Sequence, residues 1–467
     1  MSEQTQVILA TAVFLLTYAV IVTEKIHRTI VAFIGASILA LTQILSVEDA
    51  IHYIDWNTIG LLTGMMIIVG ITRQTGVFEY LAVKAAKMAK GEPLRIMASL
   101  AAITAVASAL LDNVTTVLLI VPVTFAIAGQ LKINPIPLLV AEIISSNIGG
   151  TATLIGDPPN IMIGSQTHLG FMDFVINLTP AVVVVYVVTL VLLRLIYRRQ
   201  LVNKPELQEN IMKMNESDEL KDIPLLKKCL VVLGLTILGF VIHQYVHLES
   251  SVIALSGASL LLLLSSRYDP EHALHAVEWP VIFFFVGLFV VVGGLEKVGV
   301  IEAIARFSLD ITHGQLVPAA MLILWVSAIA SAFVDNIPFV ATMIPLIHDM
   351  GRLGLTGNLD LMWWSLSLGA CLGGNGTIIG ASANVVVIGM AEKRGHQITF
   401  MGYMKIAFPL MIISIIISMG YMLFWYHYHG WISLTVTLAA GILLGLVSIP
   451  VNNLIGRRQE KERERQN

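Results

Sequence analysis

Two distant stretches of this chain interrupt their apolar runs with the same residues. Asp55-Trp56 recurs as Glu278-Trp279, Gly64 as Gly287, Gly70 as Gly293, Gly76 as Gly299, Asp112-Asn113 as Asp335-Asn336 and Pro122 as Pro345, each pair 223 positions apart. One inserted residue later, GGTATLIGDPPN (Gly149 to Asn160) aligns with GGNGTIIGASAN (Gly373 to Asn384), and Pro180 then aligns with Pro409. A chain with this pattern folds as two like units. Solenoids also repeat, but at periods of about 20–50 residues.

Composition decides what surrounds those units. The 467 residues are 56% apolar and 13% charged, where a soluble chain carries about 45–50% and about 25%. This excludes an ordinary soluble enzyme and a disordered chain. A net charge of −3 without a basic domain excludes a nucleic-acid partner. Cys229 and Cys371 lie in apolar surroundings and read as packing residues, not a disulfide framework. A polytopic, all-α membrane protein in contact with lipid remains.

A spanning helix needs about 20 mostly apolar residues. Clear spans lie near 7–23, 29–45, 56–75, 174–197, 229–247, 251–266, 279–298, 402–427 and 431–449. The stretches 137–165 and 361–391 are broken by Gly, Pro and Asn and count as one interrupted span each. The stretches 94–129 and 315–350 read as apolar run, Asp-Asn, apolar run, the pattern of a re-entrant hairpin. The expectation is therefore 11 crossings and two hairpins.

MSEQTQ carries no positive charge, whereas Lys25 and Arg28 follow the first span, which places the N-terminus outside and argues against a signal peptide. Inside segments then hold 24 Lys and Arg and outside segments hold 3 (Lys297, Arg306, Arg352), with Lys405 at the start of a span. That bias follows the positive-inside rule. It puts the C-terminus in the cytoplasm, with a bacterial plasma (inner) membrane as the expected location.

The expected units are 1–197, a cytoplasmic linker 198–228, 229–427, and an extra span with a basic tail over 428–467. Each of the first two units crosses five times and carries one hairpin, so they sit in opposite orientations. Inverted repeats with interrupted helices mark secondary transporters whose site lies near the midplane, between the repeats.

Bare backbone survives at membrane depth only inside protein or against water. The breaks free amides and carbonyls there, and Asn147, Gly150, Thr151, Thr153, Asn160, Asn375, Thr377 and Asn384 add neutral ligands. Packing through small residues accounts for the glycines, but not for paired Asn, Thr and Pro. The hairpin tips read SALLDNVTT and SAFVDNIPF, which adds Asn113, Thr115, Thr116 and Asn336. An aspartate at a tip can cap the following helix. An intramembrane Asp costs about 2.5–3.5 kcal/mol on insertion scales, and Ser or Thr would cap more cheaply. Asp112 and Asp335 therefore read as a cation or proton site, with Na+ as the candidate ion at Asp112, Asn113, Asp335 and Asn336. Asp157 adds a third acid, opposite Ala381 in the other repeat. These three carboxylates read as having no Lys or Arg nearby, so they are expected to repel multiply charged anions. Glu142, near the inner end of its span, is either a solvated end residue or part of a proton path. No nucleophile–base pair or metal motif points to an enzyme, and no cofactor is implied beyond a bound sodium ion.

DNVTTVLLIVPVT (Asp112 to Thr124), NIGGTATLIGDPPN (Asn147 to Asn160) and GACLGGNGTIIGASANVVVIGMAEKRG (Gly369 to Gly395) resemble the ion transporter superfamily. The resemblance is greatest to the branch of arsenite permeases, NhaD-type sodium–proton antiporters and the melanosomal P protein, and spans about 55–427. It implies a scaffold domain that forms a homodimer, and a transport domain of both hairpins and both broken helices that moves as an elevator. The related dicarboxylate/sodium symporters carry Ser-Asn-Thr tips, and the Asp-Asn tips here depart from that pattern. The expected function is a sodium- or proton-coupled secondary active transporter, an antiporter of a monovalent cation against protons. The alternatives are a coupled transporter of a small anion or an arsenite-like oxyacid, then a dicarboxylate symporter or an ion channel.

Overall fold

The computed structural model describes residues 2–23, 25–203, 205–265 and 270–428. The span expected at 431–449 and the basic tail lie outside the described residues. Within them the regular structure is helical, with no strand. The first half runs α1 (Glu3–Val22), α2 (Arg28–Leu41), α3 (Val47–Tyr53), α4 (Trp56–Arg73), α5 (Val77–Met88), α6 (Pro93–Leu110), α7 (Asn113–Leu131), α8 (Ile136–Gly150), α9 (Pro158–Ser165) and α10 (Phe171–Tyr197). A linker holds α11 (Pro205–Lys213). The second half runs α12 (Ile223–Val246), α13 (Ser250–Leu264), α14 (Pro270–Leu274), α15 (Trp279–Lys297), α16 (Val300–Thr312), α17 (Leu316–Phe333), α18 (Asn336–Arg352), α19 (Asp360–Gly373), α20 (Ser382–Lys393) and α21 (Phe400–His427). Element for element, α1 to α10 recur as α12 to α21.

By length and composition 8 of these helices can cross a membrane, or up to 9 if the bent pair α3 and α4 is one span. Three expected crossings rest on shorter apolar helices, α2, α8 and α13. The arms α6, α7 and α17 are long enough to qualify. The short helices α5 and α16 were not foreseen. Each is too short to span and buries one side only, α5 through Phe78, Ala82, Val83, Ala85 and Ala86, and α16 through Ile301 and Ala305. That half-polar pattern has no long apolar run to announce it.

The packing repeats as well. α4 lies along α13 as α15 lies along α2, and α6 lies along α8 as α17 lies along α19. α15 is apolar on every side and is buried at the centre (Phe284, Phe285 and Leu288 are fully covered). The α8 and α19 contacts are backbone-close. A Cβ on Gly149 would sit 2.1 Å from the Ala105 carbonyl oxygen, and one on Gly373 would sit 2.6 Å from that of Ala328.

Gly76 and Gly299 start α5 and α16 in the left-handed region, at φ 77° and 78°. A Cβ on Gly76 would lie 1.8 Å from the Glu219 carbonyl oxygen of the linker, whereas one on Gly299 meets nothing within 4 Å. The linker is held there by Lys87–Glu216 at 2.5 Å and by the Lys221 amide donating to the Thr75 carbonyl at 3.0 Å. Gly299→Ala is expected to lose only the left-handed preference, about 1–2 kcal/mol. Gly76→Ala should lose that and also displace the linker. Thermal unfolding together with proteolysis of 198–222 separates the two. Equal protease sensitivity would show that the linker does not dock.

Ser46 and Asp49 form a capping box at α3, and Lys297 meets Asp49 at 2.5 Å. The Lys297 and Ser46 hydrogen bonds hold the Asp49 carboxyl down from its ordinary value to about 2. A lowered folded-state pKa contributes stability above the unfolded value and loses it as pH falls toward 2. The effect of Asp49→Asn on unfolding should therefore be the same at every pH from about 5 to 8.

Candidate functional site

α6 and α7 meet at Leu111 and Asp112, and α17 and α18 meet at Val334 and Asp335. Both aspartates are N-caps. Asp112 Oδ1 accepts from the Thr115 amide at 2.8 Å, and Asp335 Oδ1 accepts from the Ile337 amide at 3.1 Å. The breaks run over 151–157 and 374–381, after which α9 and α20 begin. Four helix N-termini (α7, α9, α18 and α20) thus belong to the two tips and the two breaks. Asp157, the N-cap of α9, makes no cap hydrogen bond. Its Oδ1 accepts from Asn336 Nδ2 at 3.3 Å, and the buried Oδ2 has no hydrogen-bond partner among the described residues, with the Cys371 thiol beside the carboxyl.

The breaks are braced symmetrically. Asn160 Nδ2 donates to the carbonyls of Thr151 and Thr153 at 3.1 and 2.9 Å. Its counterpart Asn384 donates to those of Gly374 and Thr377 at 2.8 and 2.9 Å. The Thr153 hydroxyl reaches the Ala109 carbonyl at 2.5 Å, and the Thr377 hydroxyl reaches that of Ala332. Ser108 and Ser331 likewise tie the ends of α6 and α17 to the Ser146 and Ala370 carbonyls. Each half also reaches into the other. Asn147 of α8 donates to Asn384 Oδ1 at 2.9 Å, and its counterpart Cys371 of α19 meets Asn160 Oδ1 at 3.7 Å. Asn147 further donates to Asn375 Oδ1 at 2.9 Å and accepts from Asn113 at 3.1 Å, so one side chain of the first half joins the first tip to the second break.

A cavity of about 20 Å³ is lined by Asp112, Asn113, Asp157, Asn336, Arg28, Glu278 and Ser382, with Leu62 and Met66 on its apolar side. That volume holds about one water-sized particle. A wider cleft of about 440 Å³ lies apart from it, over Asp55, Glu296, His348 and Arg352.

Of the residues singled out in the sequence, Asp112, Asn113, Asp157 and Asn336 face the small cavity. Asn147, Asn375 and Asn384 form the hub beside it, and Thr153, Asn160 and Thr377 brace the breaks. The Thr151 hydroxyl bonds back to the Asn147 carbonyl at 2.7 Å within its own helix. Gly150 packs on the Gly156 carbonyl, where a Cβ would be 2.6 Å away. Thr115 serves through its amide, and the buried Thr116 hydroxyl has no partner among the described residues.

The expectation of carboxylates without a basic neighbour fails at Asp335. Arg28 Nη1 lies 2.5 Å from Asp335 Oδ2 and 2.7 Å from Ser382 Oγ, with its guanidinium 4.8 Å from the centre of the Phe284 ring. Arg28 starts α2, which precedes the strings that betray the site, and only folding brings it there. Glu278 was visible as the counterpart of Asp55. Ser382 lies within the second glycine-rich string, yet neither it nor Glu278 was singled out.

Apolar helices around two paired breaks and two capped tips define a membrane transport protein. The chain belongs to the CitMHS citrate transporter family, whose model matches residues 18–369. An uncharacterized transporter of Mycobacterium tuberculosis is 43% identical over 90% of this chain and 98% of its own length. The human P protein is 36% identical over 92% of this chain and 61% of its own. The YdaH transporter of Alcanivorax borkumensis shares the fold, with a TM-score of 0.54 at 14% identity over 91% of this chain and 98% of that one.

Proposed function

We propose that this protein exchanges a monovalent cation for protons, with sodium as the first candidate. The observation that carries the reading is the Asp157 carboxyl, buried at the rim of a cavity the size of one small ion, with one oxygen lacking a hydrogen-bond partner among the described residues. An ionised Asp157 with Asn336 and Asn113 offers hard oxygen ligands to a dehydrated cation. A protonated Asp157 is neutral and offers little. Cation and proton therefore compete for one carboxyl, and that competition is what couples exchange. Asp112, Asp335 and Glu278 add negative charge, against Arg28 and four helix N-termini of roughly +0.5 each. The balance favours a cation over a multiply charged anion.

In this reading α6–α7 and α17–α18 are re-entrant hairpins. With the broken pairs α8–α9 and α19–α20 they move as one body against a scaffold that forms the homodimer. The N-terminus lies outside and the site works in a bacterial plasma membrane. Arg28, the helix N-termini and the description of the family favour a second reading, a proton-coupled carrier of a small anion.

The test is made in proteoliposomes holding a pH-sensitive dye and a preset proton gradient. Sodium, potassium or lithium is added in turn. A cation should collapse the gradient in the wild type, and Asp157→Asn should slow this more than about tenfold, a loss of at least ~1.4 kcal/mol. If no cation moves protons but citrate or arsenite does, the antiport reading is wrong and the anion reading replaces it.

A further inference from the structure

Glu142 lies five residues before Asn147 on α8, about 7.5 Å along the axis. It is 0% exposed, so it is not a solvated end residue. The Thr124 hydroxyl of α7, equally buried, donates to Glu142 Oε1, and Oε2 has no partner among the described residues. The helices packed on α8 are α6, α7, α10, α19 and α20. Their charged residues all sit in end turns or caps. Arg95 is paired with Glu92, Asp173 with Gln244, and Asp360 with His168. Asp112 and Lys132 cap α7, Arg194 is in the last turn of α10, and Glu392 and Lys393 close α20. The other titratable groups on these helices are the half-buried Tyr186 and the buried Tyr197 and Cys371, and among the described residues the Glu142 carboxyl bonds to Thr124 and to none of these.

The other half of the molecule supplies the control. By the repeat offsets Thr124 corresponds to Ile347 and Glu142 to Leu366, both 0% exposed. The corresponding positions of the other half are therefore apolar and equally buried, so a carboxyl is not needed to fill them. An ionisable group kept at membrane depth, with no Lys or Arg paired to it among the described residues, marks a functional position.

We propose that Glu142 is a second proton-binding site of the transport cycle, separate from the carboxylates at the cavity. It holds a proton in this conformation, and gives that proton to water when α8, moving with the site, exposes it. Water on the other side returns one. The proposal rests on the transport reading above but can be tested apart from it.

In the full chain reconstituted in lipid, infrared spectroscopy at neutral pH should show the carbonyl stretch of a protonated carboxylic acid that Glu142→Gln removes. An unchanged spectrum would mean that Glu142 is ionised and would overturn the proposal. Transport is the second arm. With radioactive sodium as the probe, Glu142→Gln should retain sodium–sodium exchange without a pH gradient and lose at least about tenfold in sodium-driven proton movement. Normal proton movement in this variant would also overturn the proposal. If the wild type moves no sodium, the cation reading falls and the infrared arm alone decides Glu142. The double variant Thr124→Ile with Glu142→Leu copies the opposite repeat. It should fold with at least wild-type thermal stability and lack the band, which separates loss of the proton from loss of the fold.

Discussion

Asn147→Ala is expected to loosen the site and abolish transport at matched expression. The truncation removes two donated hydrogen bonds and one accepted bond, and leaves Asn375 Oδ1, Asn384 Oδ1 and Asn113 Nδ2 without Asn147. Interhelical hydrogen bonds in membranes average about 0.6 kcal/mol, so three give a lower bound near 2 kcal/mol. A buried polar group left unsatisfied costs about 1–3 kcal/mol, which raises the expectation for the set to about 2–5 kcal/mol. The loss concerns how the halves are joined, because Asn384 also spans the break between α19 and α20 through the Gly374 and Thr377 carbonyls. Asn147→Cys copies the counterpart Cys371 and keeps a weak donor, so it should fall between wild type and Ala. Thermal unfolding in detergent checks the order. An Asn147→Ala variant that melts with the wild type would mean that the hub does not hold the two halves together, whatever the protein transports.

The hub was legible in the sequence for a physical reason. In an apolar chain a polar or helix-breaking residue is costly, so each one that persists at membrane depth stands out. The strings around Asp112, Asn147 and Asn375 concentrate such residues, and their recurrence pointed to both halves of the candidate site. Counterparts that differ (Asp157 against Ala381, Asn147 against Cys371) marked where the symmetry is broken. Arg28 was hidden because a positive charge just after a first span reads as a topology signal. Its partner is 307 positions away, and no local spacing relates them. Glu142 was visible, but its place near the end of a span left its burial undecided until the Thr124 hydroxyl and the apolar Ile347–Leu366 pair came into view. Elements that are only half apolar, α5 and α16, left no such mark.

Arg28→Gln is expected to raise the apparent cation affinity of the transporter about tenfold, a gain of ~1.4 kcal/mol. Arg28 and Asp335 are 23% and 13% exposed, so this is a largely desolvated pair. Its guanidinium also bonds Ser382, which donates to the same Asp335 oxygen at 2.9 Å, so one cation closes the N-termini of α18 and α20 together. In the antiport reading that guanidinium is a tethered competitor: it neutralises the Asp335 carboxylate, whose charge would otherwise join Asp157 in drawing a cation. Removing one partner of a buried pair costs about 3–5 kcal/mol. Partial exposure lowers the expected loss of stability here to about 1–3 kcal/mol, since water screens what remains. Asp335→Asn removes the carboxylate and should weaken cation binding. Adding Arg28→Gln to it should then change nothing further, because the competition no longer exists. The double-mutant cycle isolates that coupling. The measurement is the sodium concentration that gives half-maximal proton movement in the wild type, both single variants and the double. If Arg28→Gln leaves that concentration unchanged while Asp335→Asn raises it, the arginine does not compete with the ion, and its role is confined to joining α2 to the second tip.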